Sequence, residues 1–176
     1  NALNKKHLCI GMSYGGVFES NDSGESWEPL NKGVPIDYIK KTDLNYGHDP
    51  HSVIQHPYKP ERLYQQNHCG IYRIDLTEKK WERIGDNMPA DIGDIGFPIT
   101  LHPDDPNTLW VFPIDGTEAW SRVCPDGQPA IYCSKDSGNS WFRQDIGLPM
   151  RNAWFTVLRK SLNTDSMNKA GVYFGT

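Results

Sequence analysis

Apolar and polar positions along this chain fall into short runs bounded by glycine, proline, asparagine and aspartate. Leu8-Cys9-Ile10-Gly11, Gly15-Gly16-Val17-Phe18-Glu19-Ser20 and Trp27-Glu28-Pro29-Leu30 each read as a strand. Further on, Ser52-Val53-Ile54-Gln55, Gly70-Ile71-Tyr72-Arg73-Ile74-Asp75 and Lys80-Trp81-Glu82-Arg83-Ile84 read the same way. Leu109-Trp110-Val111-Phe112, Ala130-Ile131-Tyr132-Cys133, Trp154-Phe155-Thr156-Val157-Leu158 and Gly171-Val172-Tyr173-Phe174-Gly175-Thr176 follow. A polar connection from Asn31 to Pro50 and an insertion from Asp115 to Pro129 interrupt the series. The pattern predicts an all-β chain of short antiparallel strands.

Two repeats organise these strands. Ser20-Asn21-Asp22-Ser23-Gly24-Glu25-Ser26-Trp27 and Ser134-Lys135-Asp136-Ser137-Gly138-Asn139-Ser140-Trp141 share Ser-x-Asp-x-Gly-x-x-Trp without gaps. In a turn the aspartate accepts bonds from nearby N–H and hydroxyl groups, and the glycine allows positive φ. The tryptophan then opens the outgoing strand and supplies a large surface for burial. Ser20, Asp22, Gly24, Trp27, Ser134, Asp136, Gly138 and Trp141 are therefore read as structural. The second repeat aligns His56-Pro57-Tyr58-Lys59-Pro60 on His102-Pro103-Asp104-Asp105-Pro106, each followed by a leucine–aromatic pair, and reads as a rigid turn. Between Asp75 and Trp81 the spacing is one residue longer and the glycine is missing, as in a decayed copy of the octapeptide.

The repeating unit is four antiparallel strands, the size of a propeller blade. Two blades are complete, at about 52–85 and 97–146, with partial blades at 1–30 and 152–176, in one partial β-propeller domain spanning 1–176. Propellers close with four to eight blades. The chain is therefore expected to be part of a longer protein or to pair with a second copy, a dimer joined through Leu8–Gly11 and Val172–Thr176.

Composition narrows the partners. The net charge is −4 with both signs interspersed, which argues against nucleic acid or an anionic membrane. No apolar run approaches the ~20 residues of a membrane helix. Cys9, Cys69, Cys124 and Cys133 lack CxxC spacing, and the bland reading is buried free thiols rather than a secreted disulfide framework. On that ground a cytoplasmic setting is favoured. The chain opens on Asn1 without methionine, as a trimmed start or a piece of something longer would.

The octapeptides resemble the Asp-box, or BNR, repeat of sialidase-like and sortilin-like β-propellers. With Gly47-His48-Asp49-Pro50-His51, Gly96-Phe97-Pro98-Ile99 and Gly171-Val172-Tyr173-Phe174-Gly175-Thr176, the chain is similar over nearly its whole length to the C-terminal half of a bacterial BNR family labelled sialidase-like or glycosyl-hydrolase-like. The resemblance implies a propeller more firmly than an activity. Sialidases hold the substrate carboxylate with three arginines, the first in an Arg-Ile-Pro-like motif that is absent here.

Two classes of function stay open. One is a non-catalytic propeller module that binds a ligand, carbohydrate included, or a protein partner. The other is a glycoside hydrolase with carboxylates paired across the central face. Ligand sites on propellers lie where the inner strands begin. That singles out Asp49 and Asp94 as the carboxylates, His48, His51, Arg151 and Trp154 as ligand-binding candidates, and the capping of strand entries as the alternative role for both aspartates. His48, Asp49 and His51 are also the densest ligand-like cluster. A metal would need a third partner such as His68 or Asp94, and no metal or other cofactor is expected on spacing alone.

Overall fold

The structure, a computed structural model, describes residues 1, 3–36, 45–116 and 122–176. Four antiparallel sheets follow one another along the chain. The first contains β1 (Leu8–Met12), β2 (Gly16–Ser20) and β3 (Glu28–Pro29). The second is β4 (Pro50–His56), β5 (Lys59–Asn67), β6 (Gly70–Asp75) and β7 (Glu82–Arg83), paired in that order. The third repeats it with β8 (Gly96–Leu101), β9 (Leu109–Pro113), β10 (Ile131–Ser134) and β11 (Phe142–Gln144). The last is a pair, β12 (Leu162–Thr164) and β13 (Val172–Phe174).

This is a β-propeller segment with two full blades flanked by partial ones. In the full blades the octapeptide position joins the third and fourth strands, so β1, β2 and β3 are the second to fourth strands of their blade. β12 and β13 are the first and second of theirs. One expected strand is corrected: Trp154 to Leu158 forms no ladder, and the inner strand of the last pair is β12 instead. Arg151, Asn152 and the residues to Leu158 wrap the 3₁₀ turn Pro125–Gly127, with Ala153 N–H donating to Gly127 O and Cys124 N–H to Phe155 O. Those bonds satisfy the local backbone in place of a sheet ladder.

Period-two alternation sends neighbouring residues of each strand into different cores. Leu109 and Val111 of β9 face the layer between the second and third sheets, with Tyr64, Ile71, Tyr132 and Trp141. Trp110 and Phe112 face the layer toward the last sheet, with Val157 and Leu162. Leu63, Tyr72, Ile74 and Trp81 meet Val17 of the first sheet and Leu30, which follows it. The core is thus a series of slabs between blades.

Both octapeptides fold alike. Ser20 Oγ donates to Asp22 Oδ1 and accepts Gly24 N–H, while Asp22 accepts the N–H and hydroxyl of Ser26. Ser134, Asp136, Gly138 and Ser140 repeat each bond. Positive φ falls on Ser23 and Gly24, and on Ser137 and Gly138. The histidines of the second repeat shape their turns: His56 Nδ1 accepts Tyr58 N–H and His102 Nδ1 accepts Asp104 N–H. His56 also donates from Nε2 to His102 O at 2.9 Å, joining the equivalent turns of successive blades.

Cys69, Cys124 and Cys133 are buried and form no disulfide, whereas Cys9 is half-buried because β1 lies at the edge of its sheet. Among the described residues no helix is long and apolar enough to cross a membrane. The connection 37–44 and the insertion residues 117–121, Trp120 with them, lie outside the described residues.

Candidate functional site

The starts of β4 and β8 converge on two adjoining cavities that share Ile95, Ile114, Asp115 and Gly116 as a wall. The larger, about 440 Å³, is lined by Asp49, His51, His68, Phe97, Arg122 and Arg159 among others. The smaller, about 320 Å³, has Asp94 and Arg83 in its wall.

Asp49 and His51 flank Pro50 at the head of β4, where the ladder to β5 shifts register, and both line the larger cavity. The β5–β6 turn brings His68 across from them, its N–H donating to Asp49 O at 2.9 Å. Asn67 and Tyr72 brace that turn, through bonds from Cys69 N–H to Asn67 Oδ1 and from Tyr72 Oη to Cys69 O. Ser13 reaches in from the β1–β2 hairpin and donates to Asp49 Oδ1 at 2.6 Å. His51 is buried, stacks on Phe97 with centroids 4.5 Å apart, and holds Gly96 O at 2.6 Å through Nδ1. Burial lowers the proton affinity of this ring, against the opposing pull of the Gly96 carbonyl and Asp49.

Arg122 and Arg159 stand over the Phe97 ring, their Cζ atoms 5.8 and 5.7 Å from its centroid. Among the described residues neither joins an ion pair. Nothing in the local sequence marks these two as partners, since they come from the insertion and from the turn before β12. Their convergence is a tertiary fact.

Asp94 has a different character. Its carboxylate is buried, takes both Arg83 Nε and Nη2 at 2.9 Å, and accepts Ile71 N–H at 3.3 Å. The bond to Asp94 raises the Arg83 guanidinium above its ordinary range. Gly70 and Gly85 make room: a Cβ on either would stand 2.2 or 1.9 Å from Asp94 Oδ2. Asp94 is a strut between the second blade and the entry to the third.

The other candidates lie apart. Trp154 is exposed, rests against Gly127, and lines neither cavity. Arg151 is exposed on the same turn, and His48 is buried outside the cavity wall. Of the residues singled out in sequence, Asp49 and His51 reach the larger cavity, joined by His68.

The fold these blades define is that of a β-propeller. No protein-family model and no curated protein sequence matches the chain. Among solved structures it is similar to an ancestral GH74 enzyme, with a TM-score of 0.57 and 18% identity over 93% of this chain and 19% of that one. It is also similar to the GH74 enzyme of Niastella koreensis, at 0.55 and 16% over 78% of this chain and 20% of that one. NanB, solved with Optactamide, aligns at 0.50 and 17% over 89% of this chain and 22% of that one. The chain spans about a fifth of the length of these proteins, and at such identity the likeness is one of fold.

Proposed function

We propose that this chain is a non-catalytic sector of a larger propeller ring, binding an acidic ligand, carbohydrate in the first instance, in the cavity at the head of β4 and β8. The observation that carries this reading is the contrast between the two carboxylates. Asp94 is committed to Arg83 and Ile71, so the pair a glycosidase needs has one member already spent. Two arginines that have no carboxylate partner among the described residues, and an aromatic face, remain, which suits recognition of an anionic ligand. The measurement is a glycan array on the assembled ring, with reporter glycosides in parallel. Binding that weakens in Arg159→Ala, without turnover, is expected. Turnover abolished by Asp49→Asn would replace this reading with the second one, a glycoside hydrolase, which the GH74 likeness of fold favours.

The same reading includes ring closure by a second copy. Each copy offers β12 and β13, the first two strands of a blade, and β2 and β3, the last two. Joining one copy's pair to the other's makes a hybrid blade, and two hybrids with four full blades make a six-bladed ring. The groove beside β13, about 450 Å³ with Ile131, Ile146, Leu148, Val172 and Phe174 in its wall, is where the partner's Trp27 would seat. The strand β1 carries the same blade position as β13, so one of them is displaced on closure.

A further inference from the structure

We propose that Asp49, His51 and His68 form a binding site for a divalent transition-metal ion of the zinc class. One ligand atom from each lies within 4.8 Å of the other two. This mixed imidazole and carboxylate set suits Zn²⁺ better than Ca²⁺ or Mg²⁺, which take oxygen ligands.

Hydrogen-bond bookkeeping at His51 carries the argument. Its Nδ1 sits 2.6 Å from Gly96 O, an atom that can only accept, so Nδ1 bears the proton. In the neutral ring Nε2 then presents a lone pair, and what it faces is Asp49 Oδ2 at 3.5 Å. Two acceptors confront each other in a buried setting, and a cation between them resolves the conflict. A separation of 3.5 Å is long for a hydrogen bond. It matches the edge of a tetrahedron around zinc, about 3.3 Å for bonds of about 2.0–2.1 Å.

The surroundings have the form of a metal site's outer layer. A backbone carbonyl fixes the tautomer of His51, and Ser13 Oγ holds Asp49 Oδ1, leaving Oδ2 toward the histidine. His68 stands on the exposed side of the cluster, and a rotation of its side chain makes up the remaining approach of up to about 1.5 Å. Three protein ligands leave a tetrahedral ion one open position, for water or an anionic oxygen, in the cavity that Arg122 and Arg159 also line. This site stands on its own geometry and does not depend on the carbohydrate reading.

The test is a titration of the full chain, stripped with chelator and dialysed, with Zn²⁺ by calorimetry and with Co²⁺ by visible absorption, in the absence of any sugar. One equivalent of Zn²⁺ and visible Co²⁺ bands are expected. His68→Ala and His51→Ala should each weaken binding at least about tenfold, and Ser13→Ala should weaken it less. Because His68 is exposed, circular dichroism of His68→Ala should match that of the parent, which makes it the deciding variant if His51→Ala fails to fold. Absence of binding to the parent chain, or equal binding by His68→Ala, overturns the proposal.

Discussion

Trp141 Nε1 donates its hydrogen to Ile84 O, 3.1 Å away on the preceding blade. Trp81 does the same to Leu30 O at 2.7 Å, one blade earlier. Each indole fills the slab between two blades and caps a carbonyl at the end of the previous outer strand, with 8% and 2% of its surface exposed. Trp27 occupies the same place in the first blade but is 38% exposed and turns its N–H back to Gly24 O.

That series ranks three substitutions. Trp81→Phe leaves Leu30 O without its donor and should lower unfolding free energy by about 1–3 kcal/mol. Trp141→Ala, which also empties the slab, should cost about 3–5 kcal/mol. Trp27→Phe should stay within about 0.5 kcal/mol in the unassociated chain. Urea denaturation measures all three, and equal losses at 27 and 81 would contradict the docking role.

The octapeptide turns should carry an acid limb of stability. Burial pushes Asp136 upward, but the bonds from Ser140 and Ser134 outweigh it and hold the carboxyl below its ordinary 3.8. At Asp22 the bonds from Ser26 and Ser20 lower it further. A folded pKa below the unfolded one means the contribution is complete above about pH 4 and is lost as pH falls below that value. Asp136→Ala should remove part of this limb and cost about 1–3 kcal/mol at pH 7. A denaturation series from pH 7 to 2 on both proteins checks it, and parallel curves would count against the turn bonds.

Asp94 should behave as a strut. Gly85→Ala would drive a methyl to 1.9 Å from Asp94 Oδ2, so a loss above about 2 kcal/mol is expected. Asp94→Asn keeps the volume and weakens the Arg83 pairing, and it should leave ligand binding near the parent level. Binding lost in Asp94→Asn while melting is unchanged would move Asp94 into the ligand site.

Assembly has its own readout. Light scattering of the chain should give the mass of two copies, and Trp27→Arg should return it to one without altering circular dichroism. A monomeric parent at high dilution would remove the second-copy closure.

The β-propeller was legible because its determinants are local. Ser, Asp and Gly at fixed offsets in 20–27 and 134–141 build the turn from bonds within four residues, and alternation in β5, β6 and β9 follows from strand geometry alone. One strand of the last partial blade departs from the sequence pattern for a related reason. Trp154 to Leu158 has the composition of a strand, and only the competing bonds to Gly127 and Cys124 decided otherwise. Asp49 and His51 could be singled out from their place before an inner strand, whereas the pairing of Arg122 with Arg159 could not, because their shared contact is the Phe97 ring. The fate of Asp94 was hidden as well. Whether a carboxylate is a reactive group or a strut depends on what stands beside it, and Arg83 and the bare faces of Gly70 and Gly85 arrive there only when the blades pack.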